Sequence, residues 1–376
     1  MRKCVFPFPT LLRFSRRVRS FWSACQTRCP RRAGRKRAVR ETRRFAEGFE
    51  FTLSFVFRHP AALTGRIHIE RVGLYAPYGR AVYPSTVLML AVPARVAGVR
   101  DLVLMSPPAR DGSSHPMILA AAKVAGITEI YRVGGAPAMT ALAYGTASVA
   151  AVDKIAGPGS IYVTLAKKHL YGAVGIDGLY GPSEVVILAD ATTDASLLAP
   201  QIAADLIAQA EHGVDSFVCF ITTSRPLCEA VTAALAEQTE SSPRAALVRE
   251  ALQNALMLRV DSLEEACELC DLAAAEHVEI WSRDALALSQ QIRHAGALFL
   301  NTPVPLGDYV AGPSHTLPTG TTARFAHGVG VDTFLKRSSL IAASPQSIAA
   351  LSSDLTRLAE VENLPGHAQA VRQAHS

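Results

Sequence analysis

The sequence predicts an α/β protein built on parallel sheets. From Ser85 to about Thr319, short apolar runs with strand character alternate with Ala-rich amphipathic runs, a pattern typical of strands joined by crossover helices. The spacings mostly supply the dozen or more residues that a parallel connection needs. Ligands of open parallel sheets bind at the carboxyl ends of strands, so we expect them beside the Gly and Pro clusters. These clusters are Gly134-Gly135, Gly157-Pro158-Gly159 and Gly181-Pro182-Ser183.

Each apolar run has the length of a strand and is bounded by turn residues. The predicted strands run from Leu102 to Met105, Glu129 to Val133, Lys154 to Ala156, Glu184 to Leu188, Phe217 to Thr222, Leu256 to Val260, Val278 to Trp281 and Ala297 to Leu300. Helices are predicted from Met117 to Ala125, Ala199 to Glu211 and Ala285 to His294. After Thr319 one helix-like run, Gln346 to Glu362, precedes a His-containing tail.

Size and composition favour a globular protein of two or three domains. A chain of 376 residues with 49% hydrophobic content can bury a large core. No apolar run reaches the roughly 18 residues of a membrane helix. The best candidate, Ser85 to Val99, is interrupted by Pro93 and Arg95, so we exclude a membrane span.

The basic character of the chain belongs to its first segment. Residues 1–50 carry 15 Lys and Arg against three Glu, which leaves 23 basic and 29 acidic residues in the remainder. Nucleic-acid binding by the body of the protein is therefore not indicated. Residues 1–65 show no sustained period, and we assign them no fold. An Arg-rich, acid-poor leader is typical of an organellar transit peptide, but sequence from a wrong start or frame has the same appearance.

The seven cysteines indicate a reducing compartment, for which we expect the cytoplasm. The close pairs are Cys25 with Cys29 and Cys267 with Cys270, and neither belongs to a four-ligand zinc pattern. We expect Cys267 and Cys270 to be plain thiols on a helix.

Gln209 and His212 are the first candidate metal ligands. They lie three residues apart in a predicted helix, so their side chains share one face and could reach one ion. The alternative is an ordinary polar face near a helix end. Spacing alone does not decide between the two.

Glu276 and His277 are adjacent where a helix-like run meets a predicted strand. Neighbours within a strand point to opposite faces. A shared site therefore requires a bend, where a carboxylate and an imidazole could act as base and proton relay. A charged helix terminus is the alternative.

Three further residues lie where loops could position functional groups. Asp308 follows Gly307 in a Gly-rich loop, where a turn cap is the alternative. His367 lies near the C-terminus, where disorder is common. Ser183 could hold a polar substrate or form only a tight turn. No protease H-E-x-x-H, Walker loop or G-x-G-x-x-G is present.

Taken in order, these motifs resemble the histidinol dehydrogenase family over about residues 66–376. The resemblance rests on Arg71-Val-Gly-Leu-Tyr-Ala-Pro, Tyr83-Pro-Ser-Thr-Val-Leu-Met, Val133-Gly-Gly-Ala, Ala141-Leu-Ala-Tyr-Gly-Thr, Val152-Asp-Lys-Ile-Ala-Gly-Pro-Gly, Gly181-Pro-Ser-Glu-Val, Gln209-Ala-Glu-His-Gly, Glu276-His277, Gly307-Asp-Tyr and Glu362 to His367.

The resemblance implies an NAD-dependent enzyme of histidine biosynthesis with one Zn²⁺ per subunit. The implied zinc ligands are Gln209, His212, Asp308 and His367. The implied substrate residues are Ser183, Gln209, His212, His277, Asp308, Glu362 and His367, and Tyr75 would contact the nucleotide. In the implied mechanism, His277 removes the alcohol proton of histidinol and Glu276 activates the water that attacks the aldehyde. Histidine results after two hydride transfers.

The resemblance also implies two intertwined Rossmann-like parallel-sheet domains and a small C-terminal helical tail. Residues 66–75 and 185–330 would form the zinc and substrate domain, and 76–184 the nucleotide-binding domain. The tail, 331–376, would cross to the partner in a homodimer and bring Glu362 and His367 to its site. Residues 1–65 would stand apart as an atypical segment without a family match.

Three positions differ from the family pattern on the nucleotide side. Tyr78 and Pro137 replace a family Gly and Gln, and Ser160 replaces an Asn. A glycine permits unusual backbone angles, and Pro137 supplies no N–H. We expect NAD binding to be weakened or rearranged.

Other functions are compatible with the same motifs. A relative could oxidise another amino alcohol or polyol, and a non-catalytic relative could keep the zinc site while the Tyr78 and Pro137 changes abolish turnover. A zinc hydrolase using Glu276 is less favoured, because four protein ligands leave little room for the open position that hydrolysis needs. Manganese and cobalt also accept this ligand set.

Overall fold

The computed structural model describes residues 12–13, 62–79, 81–192, 194–341 and 343–374. Most of the Arg-rich segment 1–65, including Cys25 and Cys29, therefore lies outside the described residues. None of the helices in the described ranges combines the length and apolar character that crossing a lipid bilayer requires.

Strands and helices alternate along the described chain as predicted. The strands are β1 (Leu12–Arg13), β2 (Ala62–His68), β3 (Arg71–Tyr75), β4 (Asp101–Met105), β5 (Glu129–Tyr131), β6 (Lys154–Ala156), β7 (Gly175–Ile176), β8 (Glu184–Ala189), β9 (Phe217–Thr222), β10 (Leu256–Arg259), β11 (His277–Trp281), β12 (Ala297–Leu300) and β13 (Leu335–Ile341). The helices are α1 (Pro84–Ala97), α2 (Pro116–Val124), α3 (Gly135–Tyr144), α4 (Ile161–Leu170), α5 (Ala195–Ala210), α6 (Arg225–Ser241), α7 (Ala245–Ala251), α8 (Leu263–Ala273), α9 (Ala285–Ser289), α10 (Val304–Tyr309), α11 (Pro345–Val361) and α12 (Pro365–Gln373).

The α/β class with parallel sheets is confirmed. One sheet has the strand order β5-β4-β3-β6-β7, and the other has the order β1-β10-β9-β8-β11-β12. Within both sheets, the described strands pair in parallel. In the smaller sheet, β3 lies between β4 and β6, and in the larger sheet β8 lies between β9 and β11. This order creates a switch point between β3 and β6, and another between β8 and β11.

Helices cover both sheets and bury their apolar faces. On the larger sheet, Phe220 of β9 and Ile202 of α5 are fully buried in one core cluster. A second cluster packs on the opposite side of the sheet and includes Cys267 and Cys270, which are buried free thiols, as expected. The smaller sheet has its own pair of clusters. Burial on both sides explains why the strands read as continuous apolar runs.

One predicted domain assignment is wrong for strand β3. Residues 66–75 were expected in the same domain as 185–330, but Arg71–Tyr75 lies in the middle of the smaller sheet. It pairs with β4 on one side and with β6 on the other. Both sheets belong to one compact unit, from His68 to Leu335. The division into nucleotide and substrate domains otherwise stays a prediction.

Several elements differ from their predicted bounds for local reasons. Helix α5 begins four residues early, because Asp194 caps it by accepting a hydrogen bond from the Ser196 N–H. Helix α9 ends at Ser289, five residues early. The sequence pattern did not identify β3, β2 or β13, of which β2 begins inside the segment that was assigned no fold.

Among the described residues, the second compact unit contains residues 62–67 of strand β2, 336–341 and 343–374. Its helices α11 and α12 pack against each other. Between them, Asn363 adopts a positive φ of 58°, and the Leu364 N–H donates to the Ala359 carbonyl. Ser344 caps the start of α11. The predicted helix from Gln346 to Glu362 is thus confirmed, within one residue at each end.

Candidate functional site

A cavity of about 410 Å³ lies between the two sheets of the first unit. Pro77 and Ser160, just past the carboxyl ends of β3 and β6, line one side. The other side is lined by Ser183, Ser216 and His277, which lie at the amino ends of β8, β9 and β11. The expectation of ligands at carboxyl ends is therefore wrong for the larger sheet. The carboxyl edge of one sheet faces the amino edge of the other.

Helix α5 explains how Gln209 and His212 reach this edge. The helix connects β8 to the parallel strand β9, so it must run back from the carboxyl edge to the amino edge. Gln209 is buried in its last turn, and His212 follows just beyond its end and lines the cavity. Surrounding protein atoms lower the pKa of His212, although its ring is open to the cavity. The imidazole is therefore neutral at pH 7.

His277 is buried, and its ring nitrogens have different surroundings. Nδ1 lies 3.1 Å from the Glu184 carbonyl oxygen, which only accepts, so Nδ1–H donates to it. Nε2 then carries the lone pair, and it has no hydrogen-bond partner. The nearest carboxylate oxygen, Asp308 Oδ1, is 3.7 Å from Nε2. Burial lowers the pKa of His277, so a neutral imidazole presents a basic nitrogen to the cavity.

Glu276 immediately precedes β11, at the bend that the sequence required. Its Oε2 accepts hydrogen bonds from Ser183 Oγ at 2.7 Å and from the Glu184 N–H at 3.1 Å. Burial raises the pKa of Glu276 to about 8, against these two donors. Its Oε2 lies 3.8 Å from His277 Nδ1. A carboxylate with this pKa is suited to act as a general base near neutral pH.

Asp308 reaches His277 because helix α10 approaches strand β12 very closely. A Cβ at Gly307 would lie 2.6 Å from the Phe299 ring, so only glycine fits there. Phe299 in turn packs against the His277 ring, with centroids 5.8 Å apart. The start of α10 is held by Glu279, whose Oε1 accepts the Val304 N–H at 2.8 Å. Asp308 is thus part of a short helix and not a turn cap.

Buried polar atoms without partners concentrate at this site. In the described part of the chain six such side-chain atoms occur. Three of them, Ser216 Oγ, His277 Nε2 and Thr316 Oγ1, belong to residues that line the cavity, and Gln209 Nε2 lies one helical turn from His212. Buried polar groups are normally paired, because an unpaired one costs about 1–3 kcal/mol. The arrangement indicates a polar ligand.

The donor chemistry around His212 fits a zinc ion. A neutral imidazole, a carboxylate and the side-chain amide oxygen of the buried Gln209 are nitrogen and oxygen donors of the kind that could hold Zn²⁺. Asp308 and His277 both lie close enough to affect the pKa of His212. Among the described residues no three His, Cys, Asp or Glu side chains form a ready-made metal cluster. The predicted set includes an amide, and its fourth member, His367, belongs to the second unit.

Glu362 and His367 lie at the junction of helices α11 and α12. Glu362 caps the end of α11, and His367 lies in the first turn of α12. Both residues are exposed within the described chain. Their predicted roles in zinc and substrate binding remain predictions.

On the nucleotide side, Tyr75 is buried and does not line the cavity. Its hydroxyl accepts a hydrogen bond from the Gly135 N–H at 3.1 Å, at the start of helix α3. Burial raises its pKa. The predicted contact between Tyr75 and the nucleotide remains a prediction.

The Gly157 turn is held by a buried ion pair. Lys167 Nζ lies 2.5 Å from Asp177 Oδ1, and both side chains are almost inaccessible to solvent. Asp177 Oδ2 accepts the Gly157 N–H at 2.7 Å, while Lys167 Nζ donates to the Gly157 carbonyl at 3.0 Å. Both backbone groups of Gly157 are thus fixed, and with them the start of the Gly157–Ser160 wall of the cavity.

We expect Gly157→Ala to destabilise the protein far more than Gly172→Ala. Both glycines have positive φ, 128° and 110°, but a Cβ at Gly157 would overlap the Tyr75 carbonyl oxygen, whereas nothing lies near Gly172. The strained backbone alone costs about 1–2 kcal/mol. The overlap should add roughly 1–3 kcal/mol to the loss at Gly157. Urea denaturation of both variants measures the difference, and equal losses would contradict the expectation.

The three departures from the family pattern have ordinary backbone surroundings. Tyr78 lines the cavity with its ring against His115, and it is not among the described non-glycine residues with positive φ. Pro137 occupies the first turn of α3, where an N–H has no partner within the helix. Ser160 precedes α4, makes no capping hydrogen bond and lines the cavity. Weakened NAD binding stays a prediction.

Sequence reasoning did not single out several side chains of the cavity. His315 links helix α10 to helix α1, because its Nδ1 donates to the Asp308 carbonyl and its Nε2 lies 3.1 Å from Thr86 Oγ1. Tyr180 and Asp215 also line the wall. Asp215 lies two residues before β9, as Ser183 lies one residue before β8. The signal that could have identified Asp215 is its position just before a predicted parallel strand.

Comparisons with known proteins identify the family of this chain. The family model described as histidinol dehydrogenase matches residues 36–374. Its match begins within residues 1–65, so the expectation of no family match there is wrong from residue 36 onward.

Individual proteins give the same result. The chain is 51% identical over 307 residues to histidinol dehydrogenase from Synechococcus sp., which covers 81% of this chain and 70% of that one. A crystal structure of histidinol dehydrogenase from Elizabethkingia anophelis has a TM-score of 0.80 and 35% identity, covering 83% and 72% of the two chains. An acetylating aldehyde dehydrogenase from Geobacillus thermoglucosidasius shares the fold alone. Its structure is 15% identical with a TM-score of 0.52, and the match covers 75% of this chain and 77% of that one. The chain therefore belongs to the histidinol dehydrogenase family of oxidoreductases.

Proposed function

We propose that this enzyme oxidises L-histidinol to L-histidine in two NAD-dependent steps with one zinc ion per subunit. The observation that carries the proposal is the convergence of partnerless polar atoms, a neutral imidazole base and a buried carboxylate on one cavity. When bound, zinc would orient the imidazole and amine of the substrate, and NAD would accept two hydrides. Gln209, His212, Asp308 and His367 would hold the zinc.

In the first step, His277 would act as the general base. Its Nε2 would take the proton of the substrate hydroxyl as the hydride leaves the same carbon, which gives the aldehyde. The Glu184 carbonyl accepts the Nδ1 hydrogen, so it holds the ring in the tautomer that this step needs.

In the second step, Glu276 would take a proton from the water that attacks the aldehyde carbon. The attack would give the hydrate anion, which would become the carboxylic acid as its second hydride passes to NAD. Loss of the acid proton to solvent would leave the carboxylate. Ser183 donates to the carboxylate of Glu276 and orients it. Glu276 accepts a proton only when it is ionised, and burial raises its pKa to about 8. The rate of this step should therefore rise as the pH increases through about 8.

The wider organisation belongs to the same proposal. The smaller sheet would bind NAD beside the Gly157–Ser160 wall, near Tyr75. Residues 331–376 would form a dimerisation tail through which Glu362 and His367 complete the site of the partner subunit. A homodimer would then be required for activity.

The direct test is the stoichiometry of NADH production by the purified, zinc-loaded chain. We expect two NADH per histidinol, and no NADH from alaninol, which has the same amino alcohol but no imidazole. Turnover of alaninol at a comparable rate would point instead to an oxidoreductase for other amino alcohols. A folded, zinc-bound protein that reduces no NAD would indicate a non-catalytic relative.

A further inference from the structure

Glu184, the first residue of strand β8, makes polar contacts with both proposed catalytic residues. Its backbone N–H donates to Glu276 Oε2, and its carbonyl accepts from His277 Nδ1. Any residue except proline could supply these two backbone contacts. The side chain adds two more, which depend on its being a carboxylate.

The two carboxylate oxygens of Glu184 bind separate segments. Oε2 accepts the backbone N–H of Glu276 at 3.2 Å, and Oε1 accepts the N–H of Gly320 at 2.9 Å. Gly320 follows Thr319, a cavity residue whose Oγ1 accepts the Gly181 N–H. The Glu184 side chain thus ties the bend at Glu276 to the loop that closes one wall of the cavity.

We propose that Glu184 is a positioning residue, whose carboxylate sets the backbone of Glu276 and thereby aims the Glu276 carboxylate at the water of the second step. Glu276 precedes the first residue of β11, so its N–H has no strand partner. The Glu184 side chain takes that place. Burial raises the pKa of Glu184 to about 7, so a charged acceptor is available in the pH range where Glu276 begins to act.

Substitution by glutamine should separate the two oxidation steps. Glutamine keeps one acceptor oxygen, but its NH₂ group cannot accept a hydrogen bond. One of the two bonds from the Glu276 and Gly320 N–H groups is therefore lost. His277 is held by the Glu184 backbone and keeps its contact. Because an error of about 1 Å in a reacting group can cost roughly 10²-fold, we expect Glu184→Gln to lower kcat for the aldehyde by about 10- to 100-fold. The kcat for alcohol oxidation to aldehyde should change by less than about threefold.

Asp190→Asn is the matched control. Asp190 is a buried carboxylate that directly follows the carboxyl end of β8, opposite to Glu184. It accepts a hydrogen bond at 2.6 Å from the hydroxyl of Ser282, which directly follows β11. Glu184→Asp keeps both acceptor oxygens but shortens the side chain by one methylene, so its loss of rate with the aldehyde should be smaller than that of Glu184→Gln. If Glu184→Gln does not fold, Glu184→Asp provides the test. It should lower kcat for the aldehyde more than kcat for the alcohol, by a smaller factor than Glu184→Gln.

The experiment measures single-turnover rates with histidinol and with the aldehyde histidinal, beside thermal stability, zinc content and backbone hydrogen exchange. The inference rests on the proposed function, and the parent chain tests that function in the same assay. In Glu184→Gln, we expect faster hydrogen exchange in the peptides that contain Glu276 and Gly320. In Asp190→Asn, we expect parental exchange in the same peptides. This comparison tests the positioning role even if the protein shows no activity. Equal losses for alcohol and aldehyde, or unchanged exchange at both amides, would overturn the proposal.

Discussion

His277→Asn is expected to lower kcat for histidinol oxidation by about 10²- to 10⁴-fold, the usual contribution of a general base. Asparagine can still donate to the Glu184 carbonyl, but it has no basic nitrogen in place of Nε2. Substrate affinity should change little, because the cavity keeps its other polar groups. Steady-state NADH production at saturating histidinol measures the effect, with KM determined alongside.

His169→Asn is the control for this prediction, because His169 lies in the last turn of helix α4 and is not among the residues lining the cavity. It should retain parental activity, and both variants should keep parental zinc content and melting temperature. A His277→Asn enzyme within about tenfold of the parent kcat would exclude His277 as the base, since even a modest general base contributes more.

His212→Ala is expected to lower zinc affinity by more than about 100-fold. Loss of outer partners of a metal ligand alone costs roughly 10- to 100-fold, so loss of a direct ligand should cost more. Gln209→Ala removes the buried amide whose Nε2 lacks a partner, and we expect a loss in the same direction. Competition with a chelator, followed by elemental analysis, measures affinity and stoichiometry without any enzyme assay.

Gln201→Ala is the control on the same helix, two turns earlier, where Gln201 Nε2 donates to Asp205. It should bind one zinc per subunit with parental affinity. Parental affinity in His212→Ala would show that the ion, if bound, is held elsewhere. Tight zinc binding by the parent without NAD reduction would leave the fold intact and support the non-catalytic alternative.

Much of the fold could be predicted from local pattern, because both faces of each sheet are buried. Runs such as Phe217–Thr222 are therefore continuous apolar strands, and their bounds agree with the prediction. Strand β3 escaped detection because Gly73 interrupts its apolar run, and a Cβ there would clash with Leu142 of helix α3. The glycine serves packing between a strand and a helix far apart in sequence, which no local pattern shows.

The residues of the site could be named from sequence, whereas their arrangement could not. Ser183, His212, Glu276, His277 and Asp308 were all singled out as candidates, and the structure brings them to one cavity. The prediction that the site lies at the carboxyl ends of the strands is wrong for the larger sheet, because the rule that ligands bind there describes a single open sheet. Here a second sheet presents its amino edge, and the crossover helix α5 delivers His212 to that edge.

The sequence by itself determined the alternating elements, the family and the chemical types of the candidate residues, since these depend on local period and on residue identity. Only the tertiary structure decided which nitrogen of His277 is basic, why Glu276 has a raised pKa and how Glu184 contacts both. Tautomer and pKa depend on partners and burial that come from residues up to 93 positions away. Such contacts form only when β8 and β11, which are far apart in sequence, pair in one sheet.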